Sequence, residues 1–304
     1  MLTSSISVRS DYSTWMWKGF QVAYQAEGTA GPAVVLVHGF GASFYHWRKN
    51  LPELAKTCRV YAIDLIGFGK SSKPIPDKQM EYTFETWGAQ LADFCREVIG
   101  EPAFLVGNSI GSIAIMQAAV DAPDWVRGVA LVGCSLRLLH ERHQATQPWF
   151  KRVGAPILQK VLKKKWFGQL FFKQLATPKT VRKVLLKAYG RSDAVTDELV
   201  DLLLGAAKDE GAMGVFIAFT NYSQGPLPED LLPELSCPAI VLWGEADPWE
   251  PIALGRAFAE YPRVESFIPL AGVGHCPQDE APEVVNPILR DWILEKAHTG
   301  SNTI

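Results

Sequence analysis

Phe104-Leu-Val-Gly-Asn-Ser-Ile-Gly-Ser-Ile113 is the stretch whose reading decides the fold. Ala103 to Val106 is a short apolar run and reads as a buried strand. Gly107-Asn-Ser-Ile-Gly111 follows, and then a helical pattern of small residues. Strand, sharp turn and helix form the context that gives G-x-S-x-G a mechanical meaning, with Ser109 at the tip of a strained turn. Gly107 and Gly111 fit because a Cβ there would collide with the neighbouring strand or helix. The plainer reading is a Gly/Ser loop, so the motif needs partners elsewhere in the chain.

Outward from this turn, apolar runs alternate with helical spacing. Trp15 to Glu27 alternates as a hairpin turning at Lys18-Gly19. Ala33-Val-Val-Leu-Val37 and Arg59-Val-Tyr-Ala-Ile63 read as strands, with helical spacing from Phe44 to Lys56 between them. Tyr82 to Ile99 reads as a helix capped by Thr83 and stopped by Gly100. Val126 to Gly133 is another strand. Strands return at Pro238 to Trp243 and Val264 to Pro269, and a helix runs from Pro282 to Lys296. His298 to Ile304 reads as a disordered tail. Strand–helix alternation implies an α/β fold with a mostly parallel sheet flanked by helices. Leu136 to Glu210 breaks the rhythm with helical pieces alone. The expected organisation is a core over 1–134, a helical cap over 135–210, and the rest of the core over 211–304.

A serine hydroxyl needs a base, and the base needs an orienting carboxylate. In a parallel sheet both are sought in loops just after strands. Of the six histidines, His275 in Ala271-Gly-Val-Gly-His-Cys-Pro-Gln-Asp-Glu280 follows the last strand and is the expected base. In Trp243-Gly-Glu-Ala-Asp-Pro-Trp-Glu-Pro251, Asp247 is the favoured acid, with Glu245 and Glu250 as rivals. The order Ser109, Asp247, His275 is that of an α/β-hydrolase triad. The backbone N–H groups of Phe40 and Ile110 are the expected oxyanion hole, with Gly39 and Gly41 allowing close approach.

His38-Gly-Phe-Gly41, Asp64-x-x-Gly-x-Gly-x-Ser71, the Gly107 to Gly111 turn, Gly244-x-x-Asp247 and Gly274-His275 together resemble the α/β-hydrolase fold superfamily. More narrowly, Gly-Asn-Ser-Ile-Gly with Asp-Pro-Trp-Glu-Pro and His-Cys-Pro-Gln-Asp-Glu is similar to the pheophytinase and chlorophyll dephytylase branch. That resemblance implies hydrolysis of the phytyl ester of chlorophyll or pheophytin pigments. Ser112 departs from the further glycine of many relatives and should crowd the elbow helix slightly. Because serine, not aspartate, stands at the elbow, ester or related acyl chemistry is expected. A C–C bond hydrolase using the same triad and a non-catalytic binding protein are the rival readings. The expected reaction requires no metal or organic cofactor.

The chain has 304 residues and a net charge of -2, but its charge is unevenly spread. Arg137 to Arg191 holds fourteen basic residues against one acid, Glu141, a segment of +13 that leaves -15 for the remainder. Trp149, Phe150, Trp166, Phe167, Phe171 and Phe172 lie within it and are expected to bind an apolar ester substrate. A basic, aromatic cap suits peripheral contact with an anionic membrane. No nucleic-acid motif accompanies the charge, so no nucleic-acid partner is expected. Five unpatterned cysteines and no apolar leader point to the cytoplasm or an equivalent reducing compartment.

Overall fold

The computed structural model describes residues 11–138, 140–144 and 176–299. The six cap aromatics Trp149, Phe150, Trp166, Phe167, Phe171 and Phe172 lie outside these residues, as do seven of the basic residues, Lys151 to Lys173.

Eight strands form one sheet: β1 (Ser13–Trp17), β2 (Phe20–Glu27), β3 (Ala33–Val37), β4 (Arg59–Ile63), β5 (Ala103–Asn108), β6 (Val126–Val132), β7 (Ala239–Gly244) and β8 (Val264–Leu270). The spatial order is β1-β2-β4-β3-β5-β6-β7-β8. β2 runs antiparallel to β1 and β4, and every other pairing is parallel. The first crossover leaves β3 towards β4, and the return places β5 on the other side of β3, with Val37 beside Gly107. The strand order therefore reverses at β3, and the loops after β3 and β5 diverge there into a crevice.

The central strands β3, β5, β6 and β7 are almost wholly buried and mostly apolar, with Arg127 and Asn108 the exceptions, because both faces are covered. Val35, Leu105, Leu131 and Val241 face one layer, built with helices α1 (Phe84–Phe94) and α2 (Ile110–Asp121). Leu36, Val106, Val132 and Leu242 face the other, built with Phe44, Trp47 and the closing helix. Each such side chain, taken wholly out of water, contributes about 1.5–3 kcal/mol before the entropy of ordering is counted. Thr83 caps α1 by accepting from the Thr86 N–H, and Gly100 ends the following turn at a φ of 78°.

The described residues between β6 and β7 carry three longer helices, α3 (Pro178–Ala188), α4 (Asp197–Ala207) and α5 (Ala212–Thr220). α3 and α4 share a small core of their own, in which Leu185, Tyr189, Leu199 and Leu204 pack with Cys276. α5 lies against the main body, and its Phe219 stacks on Phe40 at 4.9 Å between ring centres. The final helix α6 runs over Pro282–Thr299, so His298, read as part of a disordered tail, lies in helix and its ring bonds the Leu294 carbonyl. Near its end α6 is held by Ala297, which packs at the edge of the same core and accepts from Arg127 at 3.1 Å, and residues 300–304 of the predicted tail lie outside the described residues. The spacing from Phe44 to Lys56 resolves into two short turns, Phe44–Trp47 and Leu51–Leu54, with Pro52 at the start of the second. Among the described residues, no helix is long and apolar enough to cross a membrane.

Candidate active site

The turn after β5 holds Ser109 at φ 56° and ψ -118°, a backbone region that a side chain rarely occupies. The surroundings impose it. A Cβ on Gly107 would stand 2.5 Å from the Gly111 carbonyl carbon, and one on Gly111 would stand 2.6 Å from the Val37 carbonyl oxygen. The turn thus passes between β3 and α2 with no room for side chains at either glycine. Ser112 is fully buried at the start of the helix. Its hydroxyl donates to the Gly107 carbonyl at 2.7 Å, giving a partner to a group at the strand end.

His275 and Asp247 meet Ser109 at the carboxyl ends of the strands. Nε2 of His275 is 3.0 Å from Ser109 Oγ, and Nδ1 is 2.7 Å from Asp247 Oδ2. The other carboxylate oxygen of Asp247 accepts from the N–H groups of Trp249 (2.9 Å) and Glu250 (3.0 Å). The carboxylate is therefore fixed by its own loop. Nδ1 of His275 carries the proton towards Asp247, leaving the Nε2 lone pair for the serine. Trp249 sets its ring edge-on to the imidazole at 5.0 Å. All three polar side chains are buried.

The backbone of His275 is gripped from two sides. Its N–H donates to Ala188 at the end of α3 (2.9 Å), and its carbonyl accepts from Asn108 Nδ2 (3.2 Å). Asn108 also donates to the Val132 carbonyl (3.0 Å), so the variable residue before the serine ties the elbow to β6 and to the histidine loop. Nothing in the motif itself signalled that role.

Above the serine runs the loop after β3. A Cβ on Gly39 would be 3.1 Å from Ser109 Cβ, a tight contact that the glycine relieves. His38 Nδ1–H donates to the Gly39 carbonyl at 2.8 Å, and Nε2 accepts from the Leu65 N–H at 3.1 Å. Burial lowers the His38 pKa to about 4, so the ring is neutral and serves as a brace. With the Gly39 carbonyl drawn away, the trans peptide turns the Phe40 N–H to the opposite side. The Ile110 N–H opens α2, where an N-terminal donor has no intrahelical acceptor. Asp64 secures the loop from below, its two oxygens accepting from Phe44 N–H and Lys70 N–H, each at 2.6 Å. Burial nevertheless pushes its carboxyl up to about 7.

Of the rival acids, Glu245 is exposed. Glu250 is buried and reaches Ser135, which donates its hydroxyl at 3.0 Å. A carboxyl thus arrives beside the end of β6 from the β7 loop, a placement the sequence did not reveal. Burial pushes the Glu250 pKa up to about 7. A raised carboxyl pKa means that the stability from the neutral form is full below about 4.5 and is lost as pH rises through about 7. Relative to Glu250→Gln, the wild type should lose on the order of 3 kcal/mol across that window. Urea unfolding at about pH 5 and about pH 8 measures it, and parallel stabilities for the two proteins would contradict it.

A cavity of about 590 Å³ opens beside Ser109. Phe40, Val181, Leu185, Leu203, Phe216 and Trp249 supply apolar walls. Val184 and Trp249, which also line it, remain 42% and 38% exposed, so the lining is apolar where solvent reaches it. Among the described residues, no group of three or more metal-ligating side chains is present.

A family model described as the alpha/beta hydrolase family matches residues 34–288. Chloroplastic pheophytinase of Arabidopsis thaliana is 26% identical over 326 residues, covering 95% of this chain and 67% of that protein. A 2-hydroxy-6-oxo-2,4-heptadienoate hydrolase of Pseudomonas putida is 37% identical over 107 residues, covering 34% of this chain and 38% of that protein. Among solved structures, a membrane phospholipase A described as a bacterial virulence factor superposes with a TM-score of 0.74 at 22% identity. It covers 94% of this chain and 86% of its own.

Proposed function

Since the chain belongs to the alpha/beta hydrolase family and is a hydrolase of that type, we propose that it cleaves a carboxylic ester with a large apolar group, through an acyl-enzyme. The observation that carries this reading is the 3.0 Å contact of Ser109 Oγ with His275 Nε2, backed by Asp247 at 2.7 Å. In the reading, His275 takes the Ser109 proton as Oγ attacks the ester carbonyl. The oxyanion lies between the Phe40 and Ile110 N–H groups. Collapse expels the alcohol, which takes the proton from His275. A water deprotonated by His275 then releases the acid and restores Ser109. Asp247 holds the ring and stabilises its cationic form.

The apolar cavity supports a long or bulky hydrocarbon group in the substrate. The likeness to pheophytinase makes the phytyl ester of chlorophyll or pheophytin the preferred candidate. The partial likeness to the Pseudomonas putida hydrolase keeps C–C cleavage of a diketone as the second reading. A pigment phytyl ester, a p-nitrophenyl ester series and a 2-hydroxy-6-oxo-dienoate, assayed side by side, separate them. Turnover of the diketone alone would overturn the ester reading. Failure of a fluorophosphonate to label Ser109 would favour a non-catalytic binding protein.

The reading extends to an anionic membrane surface as partner. Lys179, Lys183 and Lys187 recur every fourth residue on α3, with exposed Val184 and Leu186 beside them. This basic, apolar helix also supplies Val181, Val184 and Leu185 to the cavity wall. Each basic residue near an anionic leaflet is worth about 1 kcal/mol, attenuated by salt. Co-sedimentation with phosphatidylserine-rich vesicles should occur at low salt and weaken at high salt. It should weaken further in the Lys179→Glu, Lys183→Glu, Lys187→Glu variant. No sedimentation of the wild type at low salt would remove the surface from the proposal. The five cysteines are free and buried, which supports a cytoplasmic or equivalent reducing compartment.

A further inference from the structure

Glu280 stands five residues after His275, buried, with both carboxylate oxygens turned onto backbone. Oε2 accepts from Gly274 N–H at 2.9 Å and Oε1 from Cys276 N–H at 3.0 Å, the residues on either side of His275. Oε2 also accepts from Gly190 N–H at 2.7 Å and Arg191 N–H at 3.2 Å, which follow α3. One carboxylate therefore gathers four N–H donors from two chain segments about ninety residues apart. Such charge-assisted bonds are among the stronger kind, and losing the acceptor leaves several donors without a partner.

The neighbouring acid works on the same joint. Tyr189 donates its hydroxyl to Asp279 Oδ2 at 2.9 Å and lies 2.9 Å from His46 Nε2. Arg48 and Lys49 reach Asp279 at 2.9 and 3.0 Å. The backbone is as tight as the side chains. A Cβ on Gly274 would stand 2.2 Å from the Ala188 carbonyl oxygen, and one on Gly190 would stand 2.5 Å from the Gly272 carbonyl oxygen. The segment from Ala188 to Arg191 and the loop from Gly272 to Cys276 are thus in direct backbone contact over several residues.

We propose that Glu280 is a positioning residue for the reaction, holding the His275 ring in register with Ser109 by clamping the histidine loop to the base of the cap. The inference rests on the reading of His275 as the base. It assigns the cap a second task besides walling the cavity: Ala188, Gly190 and Arg191 form part of the frame that aims the imidazole. A displacement of about 1 Å at a reacting group costs on the order of 100-fold in rate, so a clamp of this kind matters even though it touches no substrate.

A double-mutant cycle tests it. Glu280→Gln keeps the shape but turns one of the two accepting oxygens into an amide nitrogen that cannot accept. It should lower kcat on a p-nitrophenyl ester by about 10- to 100-fold, with KM within about threefold. In a His275→Ala background, whose residual rate still exceeds that in water by about 10³–10⁴-fold, the same substitution should change kcat by less than about twofold, because the ring it aims is gone. A merely structural glutamate would lower both backgrounds by the same factor, and that result overturns the proposal, as does a wild-type rate in Glu280→Gln alone. A wild-type rate in His275→Ala alone would take down the base assignment and this inference with it. Should the glutamine variant fail to fold, Glu280→Asp goes through the same cycle with the same outcomes, since its shorter reach cannot span both segments. Glu283→Gln, at the neighbouring exposed pair with Arg191, serves as the control and should leave kcat within about twofold.

Discussion

Replacing Ser109 by alanine is expected to lower kcat by about 10⁶-fold and to leave the fold intact. The loss is large because in the proposed mechanism the hydroxyl oxygen forms the new bond, and no other hydroxyl contacts His275 Nε2 among the described residues. The fold survives because alanine keeps the backbone atoms and the Cβ that the turn already accommodates. Ser112, not Ser109, donates the side-chain hydrogen bond that holds the turn, to Gly107. Thermal unfolding should shift by a few degrees at most, roughly what a change of 1 kcal/mol produces in a chain of this size. Burst kinetics with a p-nitrophenyl ester reads the chemical step directly. A wild-type burst in the alanine variant would remove the acyl-enzyme from the proposal.

Asp247→Asn should cost about 10⁴-fold in kcat, and the reason lies in its other oxygen. Oδ1 accepts from the N–H groups of Trp249 and Glu250, so an asparagine must keep its carbonyl oxygen there. Its amide NH₂ is then aimed at His275 Nδ1, and two donors cannot share one proton position. The imidazole must become the Nε2–H tautomer, whose proton faces Ser109 and which cannot act as base. Nothing in this exchange alters volume, so the variant should fold normally and bind substrate with little change in KM. A rate within tenfold of wild type would show that the loop allows the amide to flip. Proton NMR of the imidazole should report the exchanged tautomer in the same variant.

Much of this arrangement was legible in the chain because it depends on short-range pattern. β3, β5, β6 and β7 are buried on both faces, and such strands read as mainly apolar runs, broken in β6 by Arg127. The elbow glycines are forced by contacts a few ångströms away, which makes them visible as a motif. Ser109, Asp247 and His275, placed from loop position and order, come together within hydrogen-bonding distance. The clamp was not legible. Glu280 and Gly190 meet across ninety residues, and a glutamate near a helix start carries no mark of its distant partners. In the sequence Asp279 and Glu280 are letters of a motif with no visible partner. The size of Ser112 says nothing of the bond its hydroxyl makes to Gly107. At His298 and Thr299 the helix runs on where the polar letters read as tail, because the packing that supports it, as far as Ala297, is set by distant residues of the sheet.

The position of β8 carries a consequence for how the protein would fail. Among the described residues it is an outermost strand, paired only with β7, with Glu265, Ser266 and Pro269 exposed. The loop that delivers His275 begins where this strand ends. Edge strands open at lower free energy than the centre of a sheet. Partial fraying of β8 would carry His275 away from Ser109 while β3 to β6 stayed closed around the core. Loss of catalysis on warming should therefore precede the cooperative melt, so that heat first disarms a molecule that is still folded and can recover on cooling.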